Sequence, residues 1–195
     1  RRLIEYVNKS CNAGMDQSVM TLGFARRATP YKRSTLLFTD IDRLKTIASP
    51  CGPLQIIFAG KAHPRDTQGK ELIREIFKIK NVLNNDIHIS YLPDYDMEIG
   101  RLITAGVDLW LNTPCPPMEA FGSSGMTAAI NGVPSLSILD GWWIEGCIEG
   151  VTGWAISNPE QAKGVVPTSN SEAEILYSKL ENIIVPMYYH NRDAY

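Results

Sequence analysis

The sequence predicts an α/β fold with a doubly wound, Rossmann-like parallel sheet. Short apolar runs alternate with longer segments of helical period, which is typical of repeated strand–helix–strand units. Basic or glycine-containing loops follow several of the apolar runs. With 195 residues, of which 44% are apolar, the chain can bury one substantial core. We therefore expect residues 1–195 to form a single Rossmann-like domain.

The predicted strands are the short apolar runs, and the predicted helices are the segments in which apolar residues recur every three or four positions. The strands are Ser18–Ala25, Leu54–Gly60, Asp86–Leu92, Val107–Thr113, Pro134–Asp140 and, at the sheet edge, Thr152–Ser157. The helices are Ser34–Ala48, Gln68–Ile79, Asp96–Ala105, Ser124–Asn131 and a last one from about Ser171 to Ile184. We expect Asp94 to cap the third of these helices and Gly132 to end the fourth.

Composition argues against several classes of protein. The 19 basic and 21 acidic residues give a net charge of −2, so nothing attracts the whole chain to nucleic acid or to an anionic membrane. The cysteines and histidines have neither zinc-ligand nor disulfide-framework spacing. No apolar run approaches the roughly 18 residues of a membrane span, and the amphipathic first residues lack a signal-peptide core. We expect a cytoplasmic protein that needs no metal.

Three loops that follow predicted strands carry groups that suit an anion. The segment ARRATPYKR contains Arg26, Arg27, Lys32 and Arg33, Lys61 follows the second strand, and FGSSG follows the fourth. Small residues let backbone amides approach an anion at a helix N-terminus. Each loop alone also fits a solvated basic turn or a tight connection. Because ligands of such sheets bind at the carboxyl ends of the strands, the three loops together predict a phosphate-bearing ligand.

Other side chains near these loops are candidates for ligand contacts. Glu119 can accept hydrogen bonds from sugar hydroxyls, or it can interact with the dipole of the following helix. Tyr95 can stack on a planar ligand or donate a hydrogen bond to it. Trp142 and Trp143 fit either a sugar-stacking platform or, as we favour, packing at the edge of the core.

The ordered motifs resemble the C-terminal domain of α-glucan (glycogen) phosphorylases, particularly the shorter prokaryotic type. The motifs are GFARRATPYKR, FAGKAHPRD, YLPDYDMEIGRLITAGVDLWLN, EAFGSSGMTAAINGVPSLSILDGWW and EGVTGWAI, and together they span nearly the whole chain. Members of this family have two Rossmann-like domains in the GT-B arrangement, with the active site between them. The resemblance implies that this chain is the second domain, that its partner is the missing N-terminal domain, and that the chain alone is inactive.

The resemblance also implies roles for individual residues. Arg27 and Lys32 match the basic pair that binds substrate phosphate. Arg26 replaces a lysine near the phosphate of the cofactor, pyridoxal phosphate, and Tyr95 matches a tyrosine that lines the cofactor pocket. Glu119 matches the carboxylate that binds hydroxyls of the glucosyl unit. Arg27, Lys32 and Glu119 are thus the implied catalytic residues.

The small-residue loop matches the segment that contacts sugar and cofactor. The backbone around Phe121 and Gly122 corresponds to the sugar contact, and Ser123 and Ser124 correspond to residues that hold the cofactor phosphate. The implied reaction is phosphorolysis of α-1,4-glucan or maltooligosaccharide by inorganic phosphate. It gives glucose 1-phosphate with retention of configuration.

Thr127 departs from the family motif. The usual motif, G-T-S-G-M-K or G-T-G-N-M-K, ends in the lysine that forms the Schiff base with pyridoxal phosphate, whereas this sequence has GSSGMT. Threonine has no amine and cannot form an imine. Phe121 likewise replaces a serine whose sugar contact is made by the backbone.

Three interpretations of this departure follow. The first, which we favour, is a phosphorylase that holds pyridoxal phosphate without a covalent bond. The second is a degenerate homologue that binds glucan without turning it over. The third is a retaining glycosyltransferase that uses a nucleotide sugar.

Overall fold

A computed structural model describes residues 2–49, 52–157 and 168–195, and six strands in these ranges form one parallel sheet. The strands are β1 Met20–Ala25, β2 Leu54–Ala59, β3 His88–Leu92, β4 Leu109–Asn112, β5 Ser135–Ile138 and β6 Gly153–Ile156. Their order is β3-β2-β1-β4-β5-β6, and all neighbouring pairs are parallel. The predicted Rossmann-like class is confirmed, and β6 lies at the edge as expected. The order reverses between β1 and β4, which is where such sheets bind ligands.

Helices connect the strands and cover the sheet. They are α1 Arg2–Cys11, α2 Ile41–Ala48, α3 Thr67–Leu83, α4 Met97–Gly106, α5 Ser123–Ile130, α6 Trp143–Gly146, α7 Ser169–Lys179 and α8 Val185–His190. A π-helical turn, Leu180–Ile184, joins α7 to α8, and 3₁₀ turns are formed by Pro30–Lys32, Leu36–Phe38 and Arg192–Ala194. Within the described ranges, no helix combines the length and apolarity needed to cross a membrane.

Alternating side chains of the strands divide the core into two clusters, one on each face of the sheet. Leu109 and Leu111 of β4 belong to the larger cluster, together with the buried apolar residues of α2, α7 and α8. Trp110, between them in sequence, belongs to the smaller cluster with the buried apolar residues of α1 and α4. The strands are apolar on both sides because both faces of the sheet are covered.

Two predictions about helix starts are wrong, namely the start of the helix at Ser34 and the cap of α4 by Asp94. The segment Ser34–Ala48 is not one helix, since Asp40 accepts a 2.9 Å hydrogen bond from the Arg43 amide and α2 begins only at Ile41. Asp94 does not cap α4, because Asp96 does so by accepting a 2.8 Å bond from the Ile99 amide. In both cases an aspartate in extended backbone fixes the first turn of the helix.

The predicted end of α5 is confirmed, and the predicted start of the last helix is wrong. Gly132 follows α5 with a φ of 76°, and its amide donates to the Ala129 carbonyl at 2.9 Å, so its predicted stop role is confirmed. The last helix begins earlier than predicted, at Ser169, because Thr168 forms a capping box with Ser171. It also runs on through the π-helical turn and α8 to His190.

Candidate functional site

The candidate site lies at the carboxyl ends of β1 and β4, where the strand order reverses. Arg26 directly follows β1, and Lys32 lies in the loop beyond it. Glu119 lies in the loop between β4 and α5. Arg26 Nη1 is 2.8 Å and Lys32 Nζ is 2.5 Å from the same oxygen, Glu119 Oε2. One carboxylate oxygen therefore joins two cations across the switch point, and we call Arg26, Lys32 and Glu119 the charge cluster.

The charge cluster is shielded from solvent. The side chains of Arg26, Lys32 and Glu119 are only 7%, 11% and 7% exposed. Burial by itself would raise the pKa of Glu119, but the hydrogen bond from Lys32 and the charge of Arg26 outweigh it, so the pKa is lowered. Two cations beside one ionised carboxylate leave an excess of positive charge, which suits an anionic ligand.

Two buried polar residues that sequence reasoning missed hold the charge cluster in place. The Asn112 side-chain oxygen accepts from Arg26, and its amide nitrogen donates to Ser137 Oγ at 3.0 Å. Asp140 Oδ2 accepts from the Glu119 backbone amide at 2.9 Å. The available signals were Asn112 as the polar last residue of the apolar strand β4 and Asp140 as an acidic residue just after β5.

The remaining basic residues have different surroundings. Arg27 and Lys61 are exposed. The Lys61 carbonyl accepts from the Ala28 amide at 3.2 Å, which ties the loop after β2 to residues 26–33 after β1, which we call the basic loop. Gly60 permits this approach, because a side chain there would begin 2.0 Å from the Arg26 carbonyl oxygen. Arg33 does not join the charge cluster and instead forms an ion pair with Glu172 of α7.

The small-residue loop is fixed by the Trp142 backbone and ring. Gly122 precedes α5 with a φ of 87°, and a side chain on it would meet the Trp142 ring at 3.0 Å. The Trp142 amide donates to the Phe121 carbonyl at 2.9 Å, while the Phe121 side chain is exposed. Trp143 is fully buried, so the packing interpretation is confirmed for it. Glu119 precedes α5 and contacts cations, so it is not a first-turn acid of that helix.

Ser123 and Ser124 open α5, and Thr127 lies one turn further along that helix. Thr127 is exposed, and its hydroxyl donates to the Ser123 carbonyl at 3.0 Å. It lines a cleft of about 780 Å³ between α1, α4 and α5. A hydroxyl in that wall offers no amine to an aldehyde, so covalent attachment of a pyridoxal group does not fit residue 127.

Tyr95 is half-buried and lies near the charge cluster. Burial raises the pKa of its phenol, and the charge of Arg26 acts in the opposite direction. Its hydroxyl is 3.0 Å from where a side chain on Gly100 would begin, so the glycine makes room for the ring. Among the described residues, no group of three or more His, Cys, Asp or Glu side chains could hold a metal ion.

Comparison with known proteins gives consistent matches over most of the chain. The family model described as "Phosphorylase: Carbohydrate phosphorylase" matches residues 1–152. A glycogen phosphorylase of Aquifex aeolicus is 49% identical over 176 residues, which are 90% of this chain and 25% of that protein. A maltodextrin phosphorylase of Thermococcus litoralis is 45% identical over 179 residues, or 91% and 21% of the two chains.

A glycogen phosphorylase of Mycobacterium tuberculosis is 42% identical over 175 residues, which are 89% of this chain and 20% of that protein. The chain thus spans a quarter or less of the length of these three relatives. The family match includes the whole charge cluster and ends before α7. These findings confirm the resemblance seen in the motifs, and the chain belongs to the carbohydrate phosphorylase family.

Proposed function

We propose that the full-length protein that contains this chain is an α-glucan phosphorylase. It cleaves α-1,4-glucan or a maltooligosaccharide with inorganic phosphate and releases glucose 1-phosphate. The observation that carries this proposal is the charge cluster, because it holds two cations and a carboxylate together at the switch point. The names of the relatives, glycogen phosphorylase and maltodextrin phosphorylase, support the same reaction.

In this proposal the charge cluster and the neighbouring Arg27 bind phosphate and sugar side by side. Arg27 and Lys32 bind the substrate phosphate, and Glu119 accepts hydrogen bonds from hydroxyls of the glucosyl unit. Since Lys32 Nζ is 2.5 Å from Glu119 Oε2, a phosphate oxygen that contacts Lys32 lies next to the bound sugar. A phosphate oxygen then bonds to the anomeric carbon while the glycosidic bond breaks and its oxygen takes up a proton. The cations stabilise the negative charge of the phosphate during this step.

We propose that pyridoxal phosphate binds beside this site without a covalent bond. The first amides of α5 have no partner one turn earlier in the helix, so those of Ser123 and Ser124 suit a phosphate group. Arg26 adds positive charge, and Tyr95 lines the pocket. When bound, the cofactor supplies a phosphate group that can relay a proton to the glycosidic oxygen by way of the substrate phosphate. The backbone at Phe121 and Gly122 positions the sugar.

The proposal also concerns the rest of the protein. We infer that residues 1–195 form a single domain and that another domain of the longer protein supplies the glucan-binding side of the cleft. The chain alone would then have no measurable turnover. A cytoplasmic location remains a prediction.

The test is release of glucose 1-phosphate from maltoheptaose by the full-length protein, with and without inorganic phosphate and pyridoxal phosphate. Release that depends on both additives supports the proposal. Absence of release from protein shown to be folded by circular dichroism contradicts it.

Thr127 favours a second candidate, a degenerate homologue that binds glucan without turnover. A lysine at position 127 would enter the wall of the cleft beside α4, where the exposed threonine now lies. We expect T127K to bind pyridoxal phosphate covalently, detected by mass spectrometry after borohydride reduction, while T127A serves as the control and stays unmodified. Glucose 1-phosphate release by T127K and none by the unaltered protein would favour the degenerate homologue.

The nucleotide-sugar transferase is separated from both candidates by a simple binding measurement. Uridine or adenosine diphosphate should raise the unfolding temperature of a transferase, while inorganic phosphate should not. A phosphorylase shows the opposite pattern.

A further inference from the structure

Arg33 lies next to Lys32 in sequence, yet its side chain turns away from the charge cluster and joins three separate parts of the chain. Its Nε donates to the Thr113 carbonyl at 3.0 Å and its Nη2 to the Pro114 carbonyl at 2.6 Å. Its Nη1 forms an ion pair with Glu172 Oε2. The basic loop, the segment after β4 and helix α7 therefore meet at one guanidinium group.

Contacts in the opposite direction fix the backbone of Lys32. The buried Thr113 hydroxyl lies 3.2 Å from the Lys32 carbonyl and 3.0 Å from the Arg33 carbonyl, and it can donate to either. Arg33 has a φ of 45°, a left-handed conformation that side chains other than glycine adopt rarely. Such a conformation persists where the surroundings hold it in place, as these contacts do.

The Glu172 end of this arrangement is unusual for an interaction that only stabilises the fold. Glu172 is 1% exposed, and its second oxygen, Oε1, has no hydrogen-bond partner among the described residues. Burying an ionised carboxylate with an unpaired oxygen is costly, and an apolar pair of similar volume is often as stable. The ion pair does, however, fix the direction of the Arg33 side chain, which an apolar pair would not do.

We propose that Arg33 and Glu172 are positioning residues, through which helix α7 holds Lys32 in place for an anionic ligand. The inference rests on the proposed function, because it assumes that Lys32 binds phosphate. It extends that function to α7, which lies beyond residues 1–152 of the family match.

The helix offers a matched control for this proposal. Glu174, also on α7, pairs with Arg43 in the segment that follows the basic loop. Its side chain is 63% exposed, against 1% for Glu172. The Arg43–Glu174 pair thus ties the same helix to α2, and among the described residues neither side chain forms a hydrogen bond or ion pair with Thr113 or Lys32.

The experiment measures the affinity of the full-length protein for inorganic phosphate, by calorimetry, in the unaltered protein and in E172Q, R33K and E174Q. Removing a negative charge near an anion site should by electrostatics alone tighten phosphate binding. If Glu172 acts by positioning, E172Q should instead bind phosphate about tenfold more weakly, because the Lys32 side chain is no longer held in one place. R33K keeps the positive charge but loses the planar guanidinium group, and we expect it to weaken phosphate binding to a similar extent.

The outcomes separate the two proposals. If the unaltered protein does not bind phosphate, the proposed function fails. If it binds phosphate and the affinities of E172Q and R33K match that of E174Q within twofold, or E172Q binds more tightly, the positioning proposal is overturned. A purely structural role would lower the unfolding temperature of E172Q and R33K and leave the phosphate affinity of the folded fraction unchanged. Should E172Q fail to fold, R33K decides the same question.

Discussion

Two carboxylates flank β4, and their pKa values shift in opposite directions in the folded chain. Asp108, just before the strand, has one oxygen 2.8 Å from the Thr21 amide and the other 3.5 Å from Arg192, and burial raises its pKa. Glu119, beyond the other end, has two cations within 2.8 Å, and its pKa is lowered although burial acts in the raising direction. At Glu119 the close cations outweigh burial, whereas at Asp108 burial outweighs the Thr21 hydrogen bond and the more distant Arg192.

The two ends of the strand also differ in what their charges hold together. At the amino end, Asp108 contacts the last segment of the chain, where the Tyr195 hydroxyl donates to the Asp108 carbonyl at 2.6 Å. The Arg192 guanidinium there lies 3.6 Å from the Tyr188 ring centroid. At the carboxyl end, positive charge exceeds negative charge. We infer that the amino end stabilises the fold and that the carboxyl end binds the ligand.

The largest effect that would test this division is expected from K32M. The substitution removes the charge-assisted contact to phosphate that we propose for Lys32, and it leaves Glu119 paired with Arg26 alone. We expect kcat/KM for phosphate to fall at least about 100-fold, equivalent to about 2.7 kcal/mol. The measurement is the initial rate of glucose 1-phosphate release at fixed maltoheptaose and varied phosphate.

The control for K32M is D108N, at the other end of the same strand. It should change kcat/KM less than about threefold, since most effects of substitutions far from a site act on stability. An equal loss in K32M and D108N would show that the two ends are not functionally distinct.

The opposite pKa shifts predict opposite pH dependences of stability, tested with E119Q and D108N. Near pH 7, E119Q should lose about 1–3 kcal/mol of unfolding free energy because Arg26 and Lys32 lose the negative charge that they share. The Glu119 contribution is present above the ordinary glutamate pKa, about 4.3, and is lost as the pH falls through the lowered value. The difference in unfolding free energy between the unaltered protein and E119Q should therefore become smaller as the pH is lowered.

Asp108 should behave in the reverse sense. Its pKa is raised in the folded state, so folding takes up a proton and stability increases as the pH falls through that raised value. The unfolding free energy of the unaltered protein should therefore increase relative to that of D108N as the pH is lowered. Denaturant midpoints measured against pH for both variants check this, and curves of the same sign would contradict the assigned shifts.

The strands could be predicted well from the sequence because burial on both faces gives continuous apolar runs. Every predicted strand contains the observed one, for example Val107–Thr113 around β4. Helix starts were less predictable, because several aspartates compete as caps and local backbone geometry chooses between them. Asp96 instead of Asp94 is the clearest case.

For the candidate site, only the rough placement of its members could be predicted. The rule for parallel sheets brings the loops of Arg26 and Glu119 to one edge, and the structure places the two side chains in contact. The turn of Arg33 toward Glu172 could not be predicted, since the two are far apart in sequence and adjacent basic residues give no sign of which one faces the site. The role of the Asn112 side chain likewise depends on its orientation.

The smallest effect is expected at the amino end, from Y195F. The substitution removes the hydroxyl that donates to the Asp108 carbonyl at 2.6 Å and keeps the aromatic ring, which packs 5.2 Å from the Tyr188 ring. We expect a loss of about 1 kcal/mol in unfolding free energy, seen as a lower denaturant midpoint. Y6F, at a partly exposed tyrosine of α1, is the control and should change stability by less than about 0.5 kcal/mol.

Phosphate affinity should be the same in both variants, because neither side chain contacts the charge cluster. A weaker phosphate affinity in Y195F alone would mean that the contacts at the amino end of β4 are energetically coupled to Glu119 beyond its carboxyl end. The inferred division between the two ends would then be wrong.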